Sequence, residues 1–201
     1  MDIERVVPKQ MKPDNRLLIE HISRYKFAAK YSFGRILDIA CGVGYGMKII
    51  KEHSVRPIAE MVGVDLDGDS IRYAIDHYWE KGMDYYEGDA LDHSLKQKIG
   101  TFDTIVSMET IEHLQDDFRF IKIMKSLLNP GGIAIISTPF GQGRGKPCGN
   151  PFHLHQYLEE EFIELVQPLG KLEMYYQLDD QIEKRKLGKK YYLMIAVCQN
   201  S

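Results

Sequence analysis

From about residue 35 onward, short unbroken apolar runs alternate with stretches whose apolar residues recur every three or four positions, the pattern of buried strands separated by amphipathic helices. Residues 36–39, 59–64, 84–87, 102–108 and 133–137 read as strands, and 69–79, 116–128 and 159–166 as helices between them. Alternation of this kind predicts crossover units on a parallel sheet, hence an α/β fold. Two further apolar runs, near 172–178 and 191–197, follow one another without a helix and read as a terminal antiparallel pair. Upstream, Asn15 is placed to cap a helix to about residue 30 whose apolar face carries Leu17, Leu18, Ile22, Tyr25 and Ala29, and residues 1–13 read as a loose arm. Asn129-Pro130-Gly131-Gly132 is a helix stop and turn. The segment 139–151, with four glycines and three prolines, is too irregular for an element and reads as a mobile functional rim.

Composition narrows this picture only a little. At 201 residues, 44% hydrophobic and 27% charged, the chain fits one α/β domain over 1–201, with residues 1–33 as an N-terminal arm and lid helix. A net charge of −3 supplies no global field for nucleic acid or anionic membrane, so nucleic acid is not an expected partner. Three scattered cysteines suit a reducing cytoplasm better than a disulfide framework, and no stretch is long enough to span a bilayer. The oligomeric state is left open.

Chemistry first enters at Asp38-Ile39-Ala40-Cys41-Gly42-Val43-Gly44-Tyr45-Gly46, a strand running into a glycine-rich turn at the start of a helix, where a nucleotide-type ligand can approach the backbone. Met47 stands where a dinucleotide fingerprint has its third glycine, which disfavours hydride transfer with a nicotinamide cofactor. Asp65, at the tip of the next strand, is placed to accept from both hydroxyls of a ribose, and Asp89 in Gly88-Asp89-Ala90 from an adenine amine, with Ala90 as a backbone donor. Either aspartate alone reads equally well as a helix cap. Taken with Phe102-Asp103-Thr104-Ile105-Val106 and Leu128-Asn129-Pro130-Gly131-Gly132, the order resembles the class I S-adenosylmethionine (SAM) dependent methyltransferases. The resemblance implies a Rossmann-like, doubly wound, seven-stranded sheet, mostly parallel with an antiparallel last strand, and SAM as cofactor. It assigns Asp38, Ala40, Gly42 and Gly44 to the methionine end, Asp65 and Leu66 to the ribose and adenine, Asp89 and Ala90 to the adenine, and Met108 and Glu109 to the cofactor wall after the fourth strand.

Methyl transfer to an alcohol needs a base or a metal when the oxygen attacks. Glu109, Glu112 and His113 stand at i, i+3 and i+4, on one face if that turn is helical, and His153 or His155 can reach them from across the cleft. The preferred catalytic set is His113 as base or substrate contact, with Glu112 and His153, or His155 in its place, assisting, and no metal. The alternative binds a divalent cation through Glu109, Glu112, His113 and His153. It resembles the small-RNA 2′-O-methyltransferases, with their Glu-x-x-Glu-His cluster, and the ubiquinone-pathway O-methyltransferases. His21 to Ala29 before the first strand, together with Asn150-Pro151-Phe152-His153, resembles the methyltransferase type 11 and 23 groups. That likeness makes a small molecule or a sugar or glycan hydroxyl the leading acceptor. The basic turn Lys184 to Lys190 reads as a solvated hairpin tip, with phosphate binding as the other reading. A SAM-binding module without catalysis is the rival of a different class.

Overall fold

The computed structural model describes residues 6–201; the first residues of the predicted N-terminal arm lie outside them. Helix α1 (Arg16–Ala29) starts where the Asn15 side chain accepts from the Leu18 N–H at 3.2 Å. It buries Leu18, Tyr25, Phe27, Ala28 and Ala29 as an apolar face should, while Leu17 is 36% exposed and Arg24 is fully buried. Arg24 is buried because it finds acidic and amide partners inside, Glu109 and Gln177, whereas Leu17, two turns earlier on the same side of the helix, borders an open cavity.

The remaining elements are β1 (Gly34–Ile39), α2 (Tyr45–His53), β2 (Ile58–Asp65), α3 (Gly68–Tyr78), β3 (Met83–Glu87), α4 (Leu95–Ile99), β4 (Phe102–Met108), α5 (Asp117–Leu127), β5 (Leu128–Pro139), α6 (Glu159–Val166), β6 (Lys171–Leu178), β7 (Gln181–Glu183) and β8 (Leu193–Gln199). They form one sheet in the order β3-β2-β1-β4-β5-β8-β6-β7. The first five strands pair in parallel, and β8 runs antiparallel to both β5 and β6. The predicted terminal pair is therefore present, but the sheet has eight strands rather than seven. The added strand β7 folds straight back on β6 across Asp179-Asp180, with Leu178 opposite Gln181. Three residues are too few to carry a visible two-residue alternation.

Because both faces are covered by helices, the central strands are apolar throughout. Leu37 and Ile39 face one layer with Phe120, Met124 and Phe162, whereas Ile36 faces the other with Met47, Ile50 and Ala28. Strand order reverses between β1 and β4, and the crevice at their C-terminal ends is where such sheets accept ligands. The Asn129–Gly132 turn ends α5 as expected, and it lies within the bounds of β5 as an interruption. There the register against β4 jumps from Phe102↔Leu128 to Thr104↔Ile133.

The rim 139–151 is irregular but anchored. Gln156 accepts from the Gln142 N–H at 2.9 Å and donates to the carbonyls of Lys146 (3.0 Å) and Pro147 (2.7 Å), and Arg144 pairs with buried Asp117. In the basic turn, Lys184 pairs with Glu173, Arg185 with Glu159, and Lys186 and Lys189 with Glu183. Four of its five cations are thus matched within the chain, which supports the solvated-tip reading over phosphate binding. Among the described residues, no helix is long and apolar enough to cross a membrane.

Candidate active site

Two adjoining cavities open at the C-terminal ends of β1, β2 and β4. The larger, of about 410 Å³, is walled by Ala40, Gly42, Asp65, Leu66, Met108 and Glu109, with His21, Tyr25 and Tyr45 over it. Its floor is mainly backbone. Ala40 and Gly42 have φ of 61° and 54°, and nothing lies within 4 Å of where a Gly42 Cβ would point, so the turn stays open on the cavity side. Gly44 has another purpose: a Cβ there would stand 2.6 Å from the Ala74 Cβ and 2.7 Å from the Tyr85 ring, so this glycine allows helix and strand to close on the turn. Asp65 spans the two loops, one carboxylate oxygen accepting from the Gly42 N–H (2.7 Å) and the other from the Asp67 N–H (3.0 Å). Leu66 is 70% exposed at the mouth.

The other predicted cofactor residues stand apart from this wall. Asp38 is fully buried behind it. The Tyr25 hydroxyl donates to its Oδ1 at 3.4 Å, and its Oδ2 has no hydrogen-bond partner among the described residues. Burial pushes its pKa up to about 7. Asp89 is exposed and accepts from the Leu91 N–H at 2.8 Å, as a turn-capping residue does, while Ala90 packs into the core near Leu95. Neither lines the cavity.

Glu109 follows β4 with φ of 48°, unusual for a residue with a side chain, and its N–H donates to the Ser137 carbonyl and hydroxyl at 3.2 and 3.1 Å. It therefore sits outside the single helical turn Ile111–His113, and the expected one-face grouping with Glu112 and His113 does not form. Its carboxylate turns instead to α1, where it pairs with Arg24 and accepts from His21 Nε2 at 2.7 Å. Burial alone would raise its pKa; Arg24, then His21 and His113, outweigh that and hold it at about 2. Arg24 also donates to Gln177 Oε1 at 2.8 Å. His21 Nδ1 receives the Tyr45 hydroxyl at 3.0 Å, and burial, joined by the charge of Arg24, lowers the His21 pKa. Because the Glu109 carboxylate only accepts, Nε2 carries a proton. His21 and Arg24 belong to the helix expected as a lid, whereas the part of Tyr45 and Gln177 was not expected.

The smaller cavity, of about 250 Å³, is lined by Leu17, His21, Glu109, Glu112, His113 and His153, among others. The Glu112 carbonyl accepts from the N–H groups of Leu154 (2.8 Å) and His155 (3.0 Å), folding the 150–155 segment over the turn. That fold brings the His153 ring to 4.8 Å from His113, nearly perpendicular, while His155 does not line the cavity. His113 Nδ1 donates to the Phe152 carbonyl at 2.9 Å. Asn150 Nδ2 donates to His153 Nε2 at 3.1 Å. Glu112 is buried, its Oε2 accepting from the Thr138 hydroxyl at 3.0 Å and its Oε1 lacking a hydrogen-bond partner among the described residues. Burial, and secondarily the Glu109 charge, push its pKa up to about 8. One ligand atom each from Glu112, His113 and His153 lie within 4.8 Å of one another, a spacing that can close on a cation; Glu109, engaged by Arg24, drops out of the predicted four-residue set.

Residues 37–136, from β1 into β5, match the Methyltransf_11 family, described as a methyltransferase domain. Among curated proteins, the chain is 30% identical over 172 residues to a probable S-adenosylmethionine-dependent methyltransferase of Mycolicibacterium smegmatis, covering 83% of this chain and 63% of that protein. It is 31% identical over 126 residues to a ubiquinone biosynthesis O-methyltransferase of Xanthomonas euvesicatoria, covering 62% and 49%. The chain thus spans about half to two thirds of the length of these relatives. Among solved structures, the N-methyltransferase NodS from Bradyrhizobium japonicum superposes with a TM-score of 0.65 at 19% identity over 94% of this chain and 99% of NodS, a likeness of fold. With the strand order, the open glycine turn and the strand-end aspartate in place, these matches identify the chain as a member of the class I SAM-dependent methyltransferases.

Proposed function

We propose that the chain methylates a hydroxyl oxygen of a small molecule or sugar, using SAM and with His113 as base. The observation that carries this reading is the position of His113, which lines both cavities while its Nδ1 is committed to the Phe152 carbonyl at 2.9 Å. A carbonyl only accepts, so the proton sits on Nδ1 and Nε2 keeps its lone pair. The larger cavity fits the cofactor: Gly42 leaves room for close backbone approach, and Asp65 sits beside it at the strand end. In this reading Asp65 and Leu66 hold the ribose and the adenine face, Ala40 and Gly42 the methionine end, and Met108 and Glu109 the sulfur side. Asp38 and Gly44 support the turn from behind, and Asp89 and Ala90 shape the end of β3 without lining the cavity. Bound there, the cofactor supplies a methyl group already activated on a sulfonium.

His113 Nε2 takes the hydroxyl proton as the acceptor oxygen bonds to the methyl carbon, in line with the bond that breaks. Glu112, which burial keeps protonated near neutral pH, offers a donor to a second acceptor oxygen, and His153 closes the wall. At about 250 Å³ the smaller cavity is below the roughly 300–1,000 Å³ of pockets for drug-sized ligands, so it admits one ring or one sugar unit. The relative named as an O-methyltransferase supports oxygen as the acceptor atom. Cys148 and Cys198, both free thiols, support the cytoplasm as its compartment.

The test is formation of S-adenosylhomocysteine (SAH) with a panel of hydroxylated acceptors. His113→Gln is expected to lower turnover by about 10²–10⁴-fold with SAM affinity unchanged; full turnover in this variant contradicts the reading. Tight SAM binding with no SAH from any acceptor favours a binding module. A second reading, a divalent cation held by Glu112, His113 and His153, is favoured by the spacing of their ligand atoms. Activity that persists after chelation removes it, and activity lost to chelation and restored by a divalent ion establishes it.

A further inference from the structure

Four residues, Val6, His21, Glu109 and His113, line both cavities. A methyl group passing from one cavity to the other crosses where these residues stand, so the sulfur that carries it lies at the same boundary. Glu109 is the one carboxylate among the four. Its anchors fix both its charge and its direction. Arg24, whose side chain is 2% exposed, stands behind it and lines neither cavity; it borders a separate small one with Gln177 and Pro139. His21 donates to the same carboxylate from Nε2 and holds it at the cavity boundary, which His21 itself lines. The Arg24–Glu109 pair therefore presents its negative end to the boundary, in a partly desolvated wall where a unit charge acts more strongly than in water.

We infer that Glu109 distinguishes the two charge states of the cofactor, holding the sulfonium form and giving no such hold to the neutral thioether product. The inference rests on the cofactor reading above. It also accounts for the timing of release. During transfer the positive charge leaves sulfur and a proton arrives on His113, at the same boundary, so Glu109 faces a cation throughout. Once that proton departs, SAH has no charge for Glu109 to hold. In this scheme Glu109 is a specificity residue for the cofactor, and Arg24 is a positioning residue that acts through it.

The experiment is calorimetric titration of three ligands: SAM; sinefungin, whose amine carries the positive charge in place of the sulfonium; and SAH. Glu109→Gln is expected to weaken SAM and sinefungin about tenfold and to leave SAH within about twofold, whereas Glu109→Asp keeps the wild-type preference. Equal losses for all three ligands overturn the inference, since a merely structural role moves them alike. Because Glu109→Gln leaves a buried guanidinium without its anion, the double variant Arg24→Met/Glu109→Gln, which removes both charges, provides the same comparison. It is expected to show the same selective loss, and an unchanged ratio of SAM to SAH affinity in it also overturns the inference. Failure of wild-type protein to bind any of the three instead defeats the cofactor reading itself, a separate outcome.

Discussion

The two cavities are built in different ways. The larger is built in good part on backbone at the ends of adjacent strands, Ala40 and Gly42 after β1 and Asp65 and Leu66 after β2, locked together by the bond from the Gly42 N–H to Asp65, and is completed by side chains that include the shared His21, Glu109 and His113. The smaller is made from side chains of four separate segments: His21 from α1, Glu109 after β4, Glu112 and His113 from the following turn, and His153 from beyond β5. Backbone construction suits a ligand shared by a whole family, because strand ends and turns persist while side chains change. Side-chain construction suits an acceptor that differs from one relative to the next.

The sharpest way to break this contrast is within the glycine turn. Gly44→Ala is expected to destabilise the protein by about 2–4 kcal/mol, since its new methyl meets the Ala74 side chain at a left-handed φ. Gly42→Ala is expected to cost only about 1 kcal/mol, because space is open there, yet to weaken SAM binding by filling the approach to the cavity. Thermal unfolding and SAM titration of both variants check the pair; equal melting temperatures would show that the two glycines are not divided between packing and ligand.

Asp65 carries a smaller, mixed effect. Asp65→Ala removes an acceptor from the Gly42 and Asp67 N–H groups as well as the expected ribose contact, so it should lose about 1–2 kcal/mol of stability along with roughly tenfold or more of SAM affinity. The stability loss arises because the side chain staples two loops. Asp65→Asn, which keeps one acceptor oxygen, should recover part of the stability and less of the affinity. Stability without SAM, measured beside affinity, separates the two losses.

What was legible in the sequence follows the same division. The bounds of β4 and α6 agree with their apolar patterns, and the residues of the glycine turn are contiguous, so their geometry is set locally. The role of Arg24 within the lid helix is not legible in the sequence because its partners, Glu109 and Gln177, lie 85 and 153 positions away and meet it only in the folded sheet. Glu109 seemed to share a face with Glu112 and His113 because helical spacing was assumed; its positive φ, which no pattern of residue types reveals, sends it to α1. Asp89 fitted the cofactor pattern by order in the chain, but burial and side-chain direction are tertiary facts, and its carboxylate caps its own turn.

A pH-dependent effect, small over any one pH unit, probes the buried aspartate behind the cavity wall. Burial raises the Asp38 pKa to about 7 from the ordinary carboxylate value of 3.8, so the folded state binds more protons across that interval. Its contribution to stability is complete below about pH 4, declines as pH rises to about 7 and is level above. Replacement by Asn should remove that decline, worth on the order of 2–4 kcal/mol over the whole range and a fraction of it over any one pH unit. Denaturant midpoints of Asp38→Asn and wild type between pH 4 and 8 measure it; parallel curves would show that Asp38 is ionised in the fold.

In the proposed reaction one boundary, held by Glu109 and His113, separates donor from acceptor, and a crystal structure with SAH bound is the decisive measurement. The ribose is expected at Asp65, the methionine end along Ala40 and Gly42, and the thioether sulfur beside Glu109 and His113. A ligand bound away from Asp65, or a sulfur remote from His113, would contradict it.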